Sequence, residues 1–410
     1  MEKVRPELPL LWSHDDTLLG LIEDKTDGLD KVSMHAYRVP LNISAGGGPS
    51  QINPDGGNLP RGSNFKTDQL FVNQVFFAFP MEWTAEMQVA TDGKEKSIEN
   101  YVQQAHELGV KTFRTGLEAL LHGDGSGTLD SVTSVVNSPV LGVNNANQFI
   151  DQQYVQDFPN LTSGSRGTLL IMMADAIANT LTIDPSTPVP AGIAIGDLLI
   201  VDGGAGVANS SLNGLQALQL NSNVGAYLGV QRAAWPGRLS CPLIAGNSQA
   251  ITPQKCRLML NQVRLALGID TPESAQWIWY MLVDQEAQIE NIGLIVSQVI
   301  QNQVKGNSSV DMLMKTTPKT FGGRPIKCSQ HGVPGRIDGL ALKHWGRCQI
   351  QPIDYYDVNG QTVFPVYGDN NVPSTGFIVW WWTGFNVFND NPRAGVYSTA
   401  NAIPTGYFGH

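Results

Sequence analysis

The sequence is poor in charge and in cysteine, and each shortage excludes a class of protein. Charged residues make up 15% of the 410 residues, against roughly 25% in an average soluble domain. Because interface centres exclude charge, neighbouring copies of the chain could cover such a surface, although composition alone fits an ordinary neutral protein equally well. The four cysteines (Cys241, Cys256, Cys328 and Cys348) are too few for a disulfide scaffold and lack CxxC spacing. We interpret them as reduced thiols of an intracellular protein.

A basic excess is also missing, since the net charge is −10 and the pI about 5.1. A dedicated nucleic-acid binder would show a basic excess or stripe, so this balance argues against one. Residues 128–230 carry seven Asp, no Glu and one basic residue, Arg166. The only locally basic stretch, 319–347, is interpreted as a solvated or intersubunit face, and the alternative is weak contact with DNA.

Long apolar runs are absent. No segment reaches the ~18–20 consecutive apolar residues that a membrane-spanning helix needs. The opening residues, Met1 to Leu8, lack the apolar core of a signal peptide. We therefore expect neither a leader peptide nor contact with a membrane.

Catalytic motifs are missing too. The phrase HGDGSG (122–127) follows a predicted helix and lacks the Lys-Ser/Thr of a P-loop, which indicates a helix-stop turn. GGAGVA (203–208) lacks dinucleotide-site spacing, and the seven histidines form no HxxxH or HExxH pair. CSQHG (328–332) is the nearest approach to a Cys–His pair, and a plain loop explains it more simply. The sequence thus predicts no enzyme, no cofactor and no metal site.

The first third of the chain predicts an arm followed by a hairpin. Residues 1–32 contain Leu and Trp side chains without nearby partners, so we expect an arm that docks elsewhere, for instance on a neighbouring copy. Strand-like residues 33–43 and 68–91 flank the Gly-, Pro- and Asn-rich residues 45–67, which predicts a long β-hairpin with a large tip. An isolated hairpin is marginal in water, so this one should rest on another surface.

A long helix is predicted over residues 94–122. Its apolar stripe comprises Ile98, Tyr101, Val102, Ala105, Leu108, Phe113, Leu117, Leu120 and Leu121. At ~1.5 Å per residue the helix would be roughly 40 Å long.

Later segments alternate between strands and helices. Apolar runs of strand length predict a small β-unit over 162–206, and a further strand within 215–237. Thr252 and Pro253 predict a helix start, and Gly268 predicts its end. Residues 276–284 read as a buried strand, Asp284 as the cap of a helix reaching about residue 301, and the chain beyond 311 as β-rich.

The aromatic run Trp380, Trp381 and Trp382, with Phe385 and Phe388, has two readings. Exposed rings could stack on sugars. The neighbours are strand formers, however, and alternate residues of a strand point to opposite faces, so we favour core packing.

The elements follow one another as an arm, a hairpin with a Gly-rich tip, a long helix, a GDGSGT turn, an α/β region and closing strands. This order resembles that of the major capsid proteins of tailed double-stranded DNA phages, which have the Hong Kong 97 fold. Four phrases carry the resemblance: EALLHGDGSGTLDSV, LGVQRAAWPGRLSC, ITPQKCRLMLNQVRLALG and WWWTGFNVFNDNPRAGVYSTA. The resemblance implies an α+β fold with an extended hairpin called the E-loop, a spine helix, and peripheral and axial domains.

The implied division of the chain has seven parts. They are an N-terminal arm (1–32), the E-loop hairpin (33–91), a peripheral domain with the spine helix (92–161), an inserted β-unit (162–206), peripheral strands (207–251), an axial domain (252–345), and closing strands with a C-terminal tail (346–410). The β-unit is an addition to the minimal fold. No long charged helical segment precedes the hairpin, so a fused scaffolding domain is not expected.

The resemblance also implies a function. The chain would assemble with itself through hexamers and pentamers into an icosahedral shell around phage DNA, in the host cytoplasm, and reside in the virion. Its implied partners are a separate scaffolding protein, a portal protein, a cement or decoration protein, and packaged DNA in weak non-specific contact. Candidate intersubunit contacts are charged and aromatic residues of the hairpin and helix: Arg38, Arg61, Lys66, Phe76, Phe77, Trp83, Glu107 and Glu118.

Two alternatives stay open. An encapsulin-like nanocompartment shell has a similar fold and would need a surface that docks cargo. A β-rich carbohydrate-binding protein or enzyme would predict a leader peptide and a close pair of carboxylates on strands, and the sequence shows neither.

Overall fold

The computed structural model describes residues 15–33, 35–48, 61–86, 101–136, 139–204, 210–268, 275–289, 320–367 and 373–404. Its helices are α1 (Thr17–Leu21), α2 (Tyr101–Leu121), α3 (Leu215–Leu218) and α4 (Pro253–Leu267). Residues 283–289 are also helical.

Strands outnumber helices in the described chain. The strands are β1 (Asp30–Ser33), β2 (Ala36–Ser44), β3 (Lys66–Asn73), β4 (Val75–Thr84), β5 (Thr128–Val136), β6 (Val140–Val143), β7 (Tyr154–Phe158), β8 (Gly167–Asp175), β9 (Thr180–Ile183), β10 (Leu198–Val201), β11 (Ala226–Tyr227), β12 (Val230–Gln231), β13 (Leu243–Ala245), β14 (Trp277–Leu282), β15 (Thr320–Phe321), β16 (Arg324–Ser329), β17 (Ile337–Ala341), β18 (Trp345–Tyr355), β19 (Phe364–Tyr367), β20 (Pro373–Asn389) and β21 (Val396–Thr399). The fold is α+β, as the sequence predicts.

The predicted hairpin forms, but its second arm divides in two. Strands β2 and β3 pair antiparallel from Ala36↔Asn73 to Ser44↔Lys66, whereas β4 leaves the hairpin and pairs with β20. Gln74 makes the break, donating its N–H to the His35 carbonyl at 2.7 Å. The central residues 49–60 of the predicted tip lie outside the described residues.

The predicted long helix packs on a four-stranded sheet. Strand β20 lies at the centre, with β4 on one side and β18 and β19 on the other. Phe79 of β4 stacks on Phe113 of α2 at 5.9 Å between ring centroids. Of the predicted stripe, Phe113, Leu117, Leu120 and Leu121 are buried. The predicted residues 94–100 lie outside the described residues.

The small β-unit is larger than predicted and begins earlier. Six strands close into a barrel in the order β10-β5-β6-β9-β8-β7, so the unit starts at Thr128 and not at residue 162. Closure depends on β10, which pairs with β5 on one side and β7 on the other. Strand β5 forms a hairpin with β6, whereas its other partner, β10, lies more than sixty residues further along the chain and gave no local signal in the sequence. Alternate residues fill the barrel, among them Leu169 and Ile171.

A second, six-stranded sheet has the order β13-β21-β17-β14-β16-β15. All six residues of β14 are buried, as predicted for a central strand. Helix α4 packs on this sheet and has the predicted ends, since Thr252 accepts a hydrogen bond from the Lys255 N–H and Gly268 has a φ of 110°. The sheet also includes β13 and β21, which lie outside the predicted axial range 252–345, and that range stays a prediction.

Two local predictions are wrong. Residues 215–237 form no continuous strand but a short helix and the two-residue strands β11 and β12. Leu228 and Gly229 both have positive φ, which forces a tight turn. Asp284 is not a helix cap, because it lies inside the helical residues 283–289. The remaining domain limits stay predictions.

Candidate functional site

The arm docks on its own chain where the structure describes it. Helix α1 contacts α2, and residues 23–26 run beside β18, where the Lys25 N–H donates to the Arg347 carbonyl at 2.9 Å. The Thr26 hydroxyl accepts from the Gln349 N–H at 2.8 Å. The expectation of docking on a neighbouring copy is therefore wrong for residues 15–28, and residues 1–14 lie outside the described residues.

The base of the hairpin also rests on its own chain. The Phe71 N–H donates to the Leu228 carbonyl at 2.8 Å, and the Trp235 indole donates to Asp68 at 2.6 Å. Beyond this base, Phe65 lies just before β3 and is 58% exposed. The hairpin therefore carries an exposed aromatic ring.

The predicted contact residues separate into two faces of the β4–β20 sheet. Phe77 packs against the core, and Trp83, 9% exposed, lies against His106 of α2 at 5.6 Å. Phe76 points to the opposite face, where it is 42% exposed and stacks on Trp382 at 6.1 Å. Only Phe76 of these three presents a substantial surface to another molecule.

The charged candidates also differ in how far their side chains are exposed. Arg61, Lys66 and Glu107 are exposed. Arg38 is half-buried, with its guanidinium over the Phe71 ring at 5.5 Å. The intersubunit role of these residues stays a prediction.

Glu118 contradicts the prediction, because its side chain is completely buried inside the chain. Its two carboxyl oxygens accept the N–H groups of Leu18 at 2.8 Å and Leu19 at 2.7 Å. A buried carboxyl needs such donors, since an unpaired one would be very costly. Glu118 therefore holds the arm on α2 and cannot contact another subunit.

Glu118 belongs to a cluster of buried ionisable groups. The Tyr280 hydroxyl lies 3.1 Å from Glu118 Oε1 and 2.8 Å from His122 Nε2. His122 Nδ1 lies 2.9 Å from the Glu118 carbonyl oxygen. His331 completes the cluster, with its ring 6.1 Å from that of His122. We call Glu118, His122 and Tyr280 the buried triad.

Burial perturbs these groups strongly. Loss of solvation raises the pKa of Glu118 to about 8, against the lowering effect of the two backbone N–H groups. The same cause lowers the pKa of His122 to about 3 and that of His331 to about 4. Loss of solvation also raises the pKa of Tyr280, so all four groups favour their neutral forms.

Part of the basic stretch 319–347 is internal. Arg336 donates from Nε to both oxygens of Asp338 at 3.0 and 2.9 Å, and both residues are buried. The guanidinium also lies 4.5 Å from the Tyr397 ring centroid. Arg336 is thus removed from any DNA-facing surface. Lys327 remains exposed, and Lys319 lies outside the described residues.

The turn after α2 agrees with its interpretation, whereas CSQHG is not a plain loop, because Cys328 and Ser329 lie in β16. Helix α2 ends at Leu121, and Gly125 and Gly127 take positive φ in the turn that follows. All four cysteines are thiols, and three are buried. No group of His, Cys, Asp and Glu suited to a metal ion occurs among the described residues. No described helix is long and apolar enough to cross a membrane.

Trp380, Trp381 and Trp382 split between the two faces of their sheet. The Trp381 ring lies 3.9 Å from the Tyr355 ring and 6.1 Å from that of His106. Trp380 and Trp382 lie edge-on to Tyr356. Phe385 and Phe388 are buried, as core packing predicts, whereas the three Trp side chains are half-buried among neighbouring aromatic rings.

The sequence itself matches no family model and no curated protein. Among solved structures, the chain is similar to the capsid asymmetric unit of cyanophage A-1(L), with 12% identity, coverage of 95% of this chain and 96% of that chain, and a TM-score of 0.53. It is also similar to the capsid of a native GTA particle, with 8% identity, 98% and 95% coverage, and a TM-score of 0.50.

An encapsulin complex from Synechococcus elongatus also matches, with 10% identity, 100% and 95% coverage and a TM-score of 0.48, which is too low to support a conclusion. At these identities a likeness shows the fold alone. The chain therefore has the phage capsid fold, as the resemblance predicted.

The buried triad was missed by reasoning from sequence. Glu118 and His122 stand four residues apart on one helix, a spacing that puts both on one face. That spacing was the only available signal. Tyr280 lies 158 residues beyond His122, and no local pattern joins them.

Proposed function

We propose that this chain is a structural shell subunit, the major capsid protein of a tailed phage. It assembles with itself through hexamers and pentamers into an icosahedral shell around DNA and becomes part of the virion. The observation that carries the proposal is the two-way coverage, 95% of this chain and 96% of the cyanophage capsid chain. No large domain of either chain is left over for another task.

Two surface features support self-assembly. The hairpin carries Phe65 in an exposed position, and the outer sheet face carries Phe76 and Tyr356, each 42% exposed. Exposed apolar patches on soluble chains mark interaction sites. The low charge content fits a surface that neighbours cover. Arg61, Lys66 and Glu107 would then provide polar contacts around the apolar ones.

The proposed partners follow from the same role. A shell of this kind needs a separate scaffolding protein and a portal protein, and cement proteins would bind its outside. DNA contact would be weak, because a lining with many basic residues would hold the genome through counterion release. No catalytic role is proposed.

The test is assembly of the purified full chain, expressed with its scaffolding partner and observed by negative-stain microscopy and sedimentation. We expect closed shells or capsomers. Phe65→Ser should reduce assembly, since it removes the exposed hairpin ring. Its matched control is Ile177→Ser on the barrel, where the side chain is 73% exposed. Stable monomers under all conditions would refute the proposal. Equal assembly of both variants would show that the Phe65 ring is not needed for assembly.

The encapsulin alternative is distinguished by the contents of the particles. A phage shell made in infected cells should protect DNA from nuclease, whereas a nanocompartment should contain a protein cargo. Particles with protein cargo and no protected DNA would favour the alternative.

A further inference from the structure

The contacts of the buried triad determine where its hydrogen atoms lie. His122 Nδ1 faces a backbone carbonyl, which only accepts, so Nδ1 must carry a hydrogen. In a neutral imidazole Nε2 is then the acceptor, and the Tyr280 hydroxyl at 2.8 Å must donate to it. Tyrosine has a single hydroxyl hydrogen. The 3.1 Å contact between Tyr280 and Glu118 is then a hydrogen bond only if Glu118 itself is protonated.

One other arrangement satisfies every contact within the triad. Tyr280 can donate to an ionised Glu118, provided that His122 carries hydrogens on both ring nitrogens and donates from Nε2 to the tyrosine oxygen. The two arrangements differ by moving the Glu118 hydrogen to the tyrosine oxygen and the tyrosine hydrogen to Nε2. The total number of protons is the same in both, and the triad is neutral overall in both.

The same carboxyl group holds the arm. Its oxygens accept the N–H groups of Leu18 and Leu19, and Asp16 forms a partly exposed ion pair with Arg114 of α2 at 2.6 Å. If the triad loses its proton, Glu118 is ionised and carries a charge in a completely buried position. The single hydroxyl hydrogen of Tyr280 then cannot bond to both Glu118 and His122. Moving the arm away would hydrate that charge.

We propose that Glu118, Tyr280 and His122 share one buried proton, and that this proton controls docking of arm residues 15–22 on helix α2. With the proton present the arm is held. Loss of the proton in alkaline solution releases the arm, so the triad is a pH-dependent latch between the arm, α2 and strand β14. The inference concerns the single chain and does not depend on the shell function.

The surroundings favour a neutral triad. From the arm, Asp15 faces the cluster, and its carboxylate accepts the Gln330 N–H at 3.0 Å. From the loop after β16, His331 is buried and neutral, and the Arg336 charge disfavours a charged His122. Ser329 hydrogen-bonds to Asp15 and Tyr280. Negative Asp15 opposes a second negative charge on Glu118.

Hydrogen–deuterium exchange of peptides covering residues 15–22 in the full chain tests the proposal between pH 6 and pH 10. Rates are divided by the intrinsic exchange rate at each pH. In the wild type, protection should fall about tenfold per pH unit from pH 6 to about 8 and level off above that, because the docked triad keeps one proton that the released arm no longer retains until the docked state is ionised as well. Glu118→Gln should show no such dependence, since its amide cannot lose a proton, although it loses one backbone hydrogen bond.

Two further variants keep the test decisive. Asp16→Asn removes the exposed ion pair of the same arm, so protection should change while the pH dependence stays. Tyr280→Phe keeps the ring packing and should shift the transition to higher pH, because the hydroxyl that can donate to ionised Glu118 is gone. If Glu118→Gln does not fold, Tyr280→Phe alone decides. A wild-type pH dependence in either Glu118→Gln or Tyr280→Phe would overturn the proposal.

Discussion

Removing either member of the Arg336–Asp338 pair should destabilise the chain, and the two losses should respond differently to pH. Both side chains are buried, with exposed fractions of 6% and 2%. The guanidinium also donates to the Gln219 carbonyl at 3.2 Å, so the pair joins β17 to the segment after α3. Breaking a buried pair by removing one partner costs about 3–5 kcal/mol, because a charge is left uncompensated.

The pH dependence separates the two variants because arginine cannot lose its proton, whereas aspartate can gain one. In Asp338→Asn the Arg336 charge stays buried, so the loss should be about 3–5 kcal/mol at every pH from 5 to 8. In Arg336→Met the free Asp338 is protonated instead. Burial already raises the pKa of Asp338, so this cost should shrink by about 1.4 kcal/mol for each pH unit below neutrality.

Urea denaturation of the unassembled chain, followed by tryptophan fluorescence, measures these losses. Trp277, Trp279 and Trp345 are fully buried and should report unfolding. The control is Asp16→Asn in the exposed pair with Arg114, which should cost no more than ~1 kcal/mol. A loss under ~1 kcal/mol for Asp338→Asn, or an Arg336→Met loss that does not vary with pH, would refute the reasoning.

Four further predictions follow from burial, space and charge. Leu117→Ala should cost about 2–5 kcal/mol in urea denaturation, whereas Leu265→Ala, 83% exposed, should stay within about 0.5 kcal/mol. Gly339→Ala should prevent folding, measured by circular dichroism, since its Cβ would lie 2.0 Å from the Trp277 ring, and Gly20→Ala, with open space, should fold normally. Melting temperature should vary little between pH 4.5 and 6.5, where the raised pKa of Glu118 and the lowered pKa of His122 act in opposite directions. It should fall as pH rises from 6.5 towards 8, through Glu118, and as pH drops from 4.5 towards 3, through His122; the alkaline loss should vanish in Glu118→Gln. Duplex DNA should bind no tighter than roughly 10⁻⁵ M at physiological salt, and tight sequence-dependent binding in a titration would contradict the proposed role.

Elements with local signals were predictable from the sequence. Helix α4 is an example, because Thr252, Pro253 and Gly268 determine its ends through contacts within a few residues. The hairpin is another, since two strand-like runs flank a segment rich in turn formers. Strand β14 was recognised by its continuous apolar run, as expected of a strand buried on both faces.

Features built from distant partners were not predictable. The barrel closes because β10 pairs with β5 and β7, and nothing in the Thr- and Ser-rich β5 indicates where its partner lies. Glu118 was predicted to contact another subunit, whereas its partners are backbone groups 99 and 100 residues earlier in the same chain. Charged residues are mostly exposed in folded proteins, so the residue type alone predicts an exposed side chain at this position.

Helix α2 connects most of the described parts of the molecule, which gives the arm contact its importance. One side of α2 packs on the sheet through Phe113 and Phe79, and Gly116 lets Ile150, beside the barrel, approach closely. Its end reaches the six-stranded sheet through His122 and Tyr280. The arm therefore touches α2 at Glu118, one turn before His122, where the helix meets the other sheet. A change in arm docking would therefore act where α2 connects the two sheets and not on a peripheral surface. Any movement of one sheet relative to the other during assembly should then be coupled to the protonation of the buried triad.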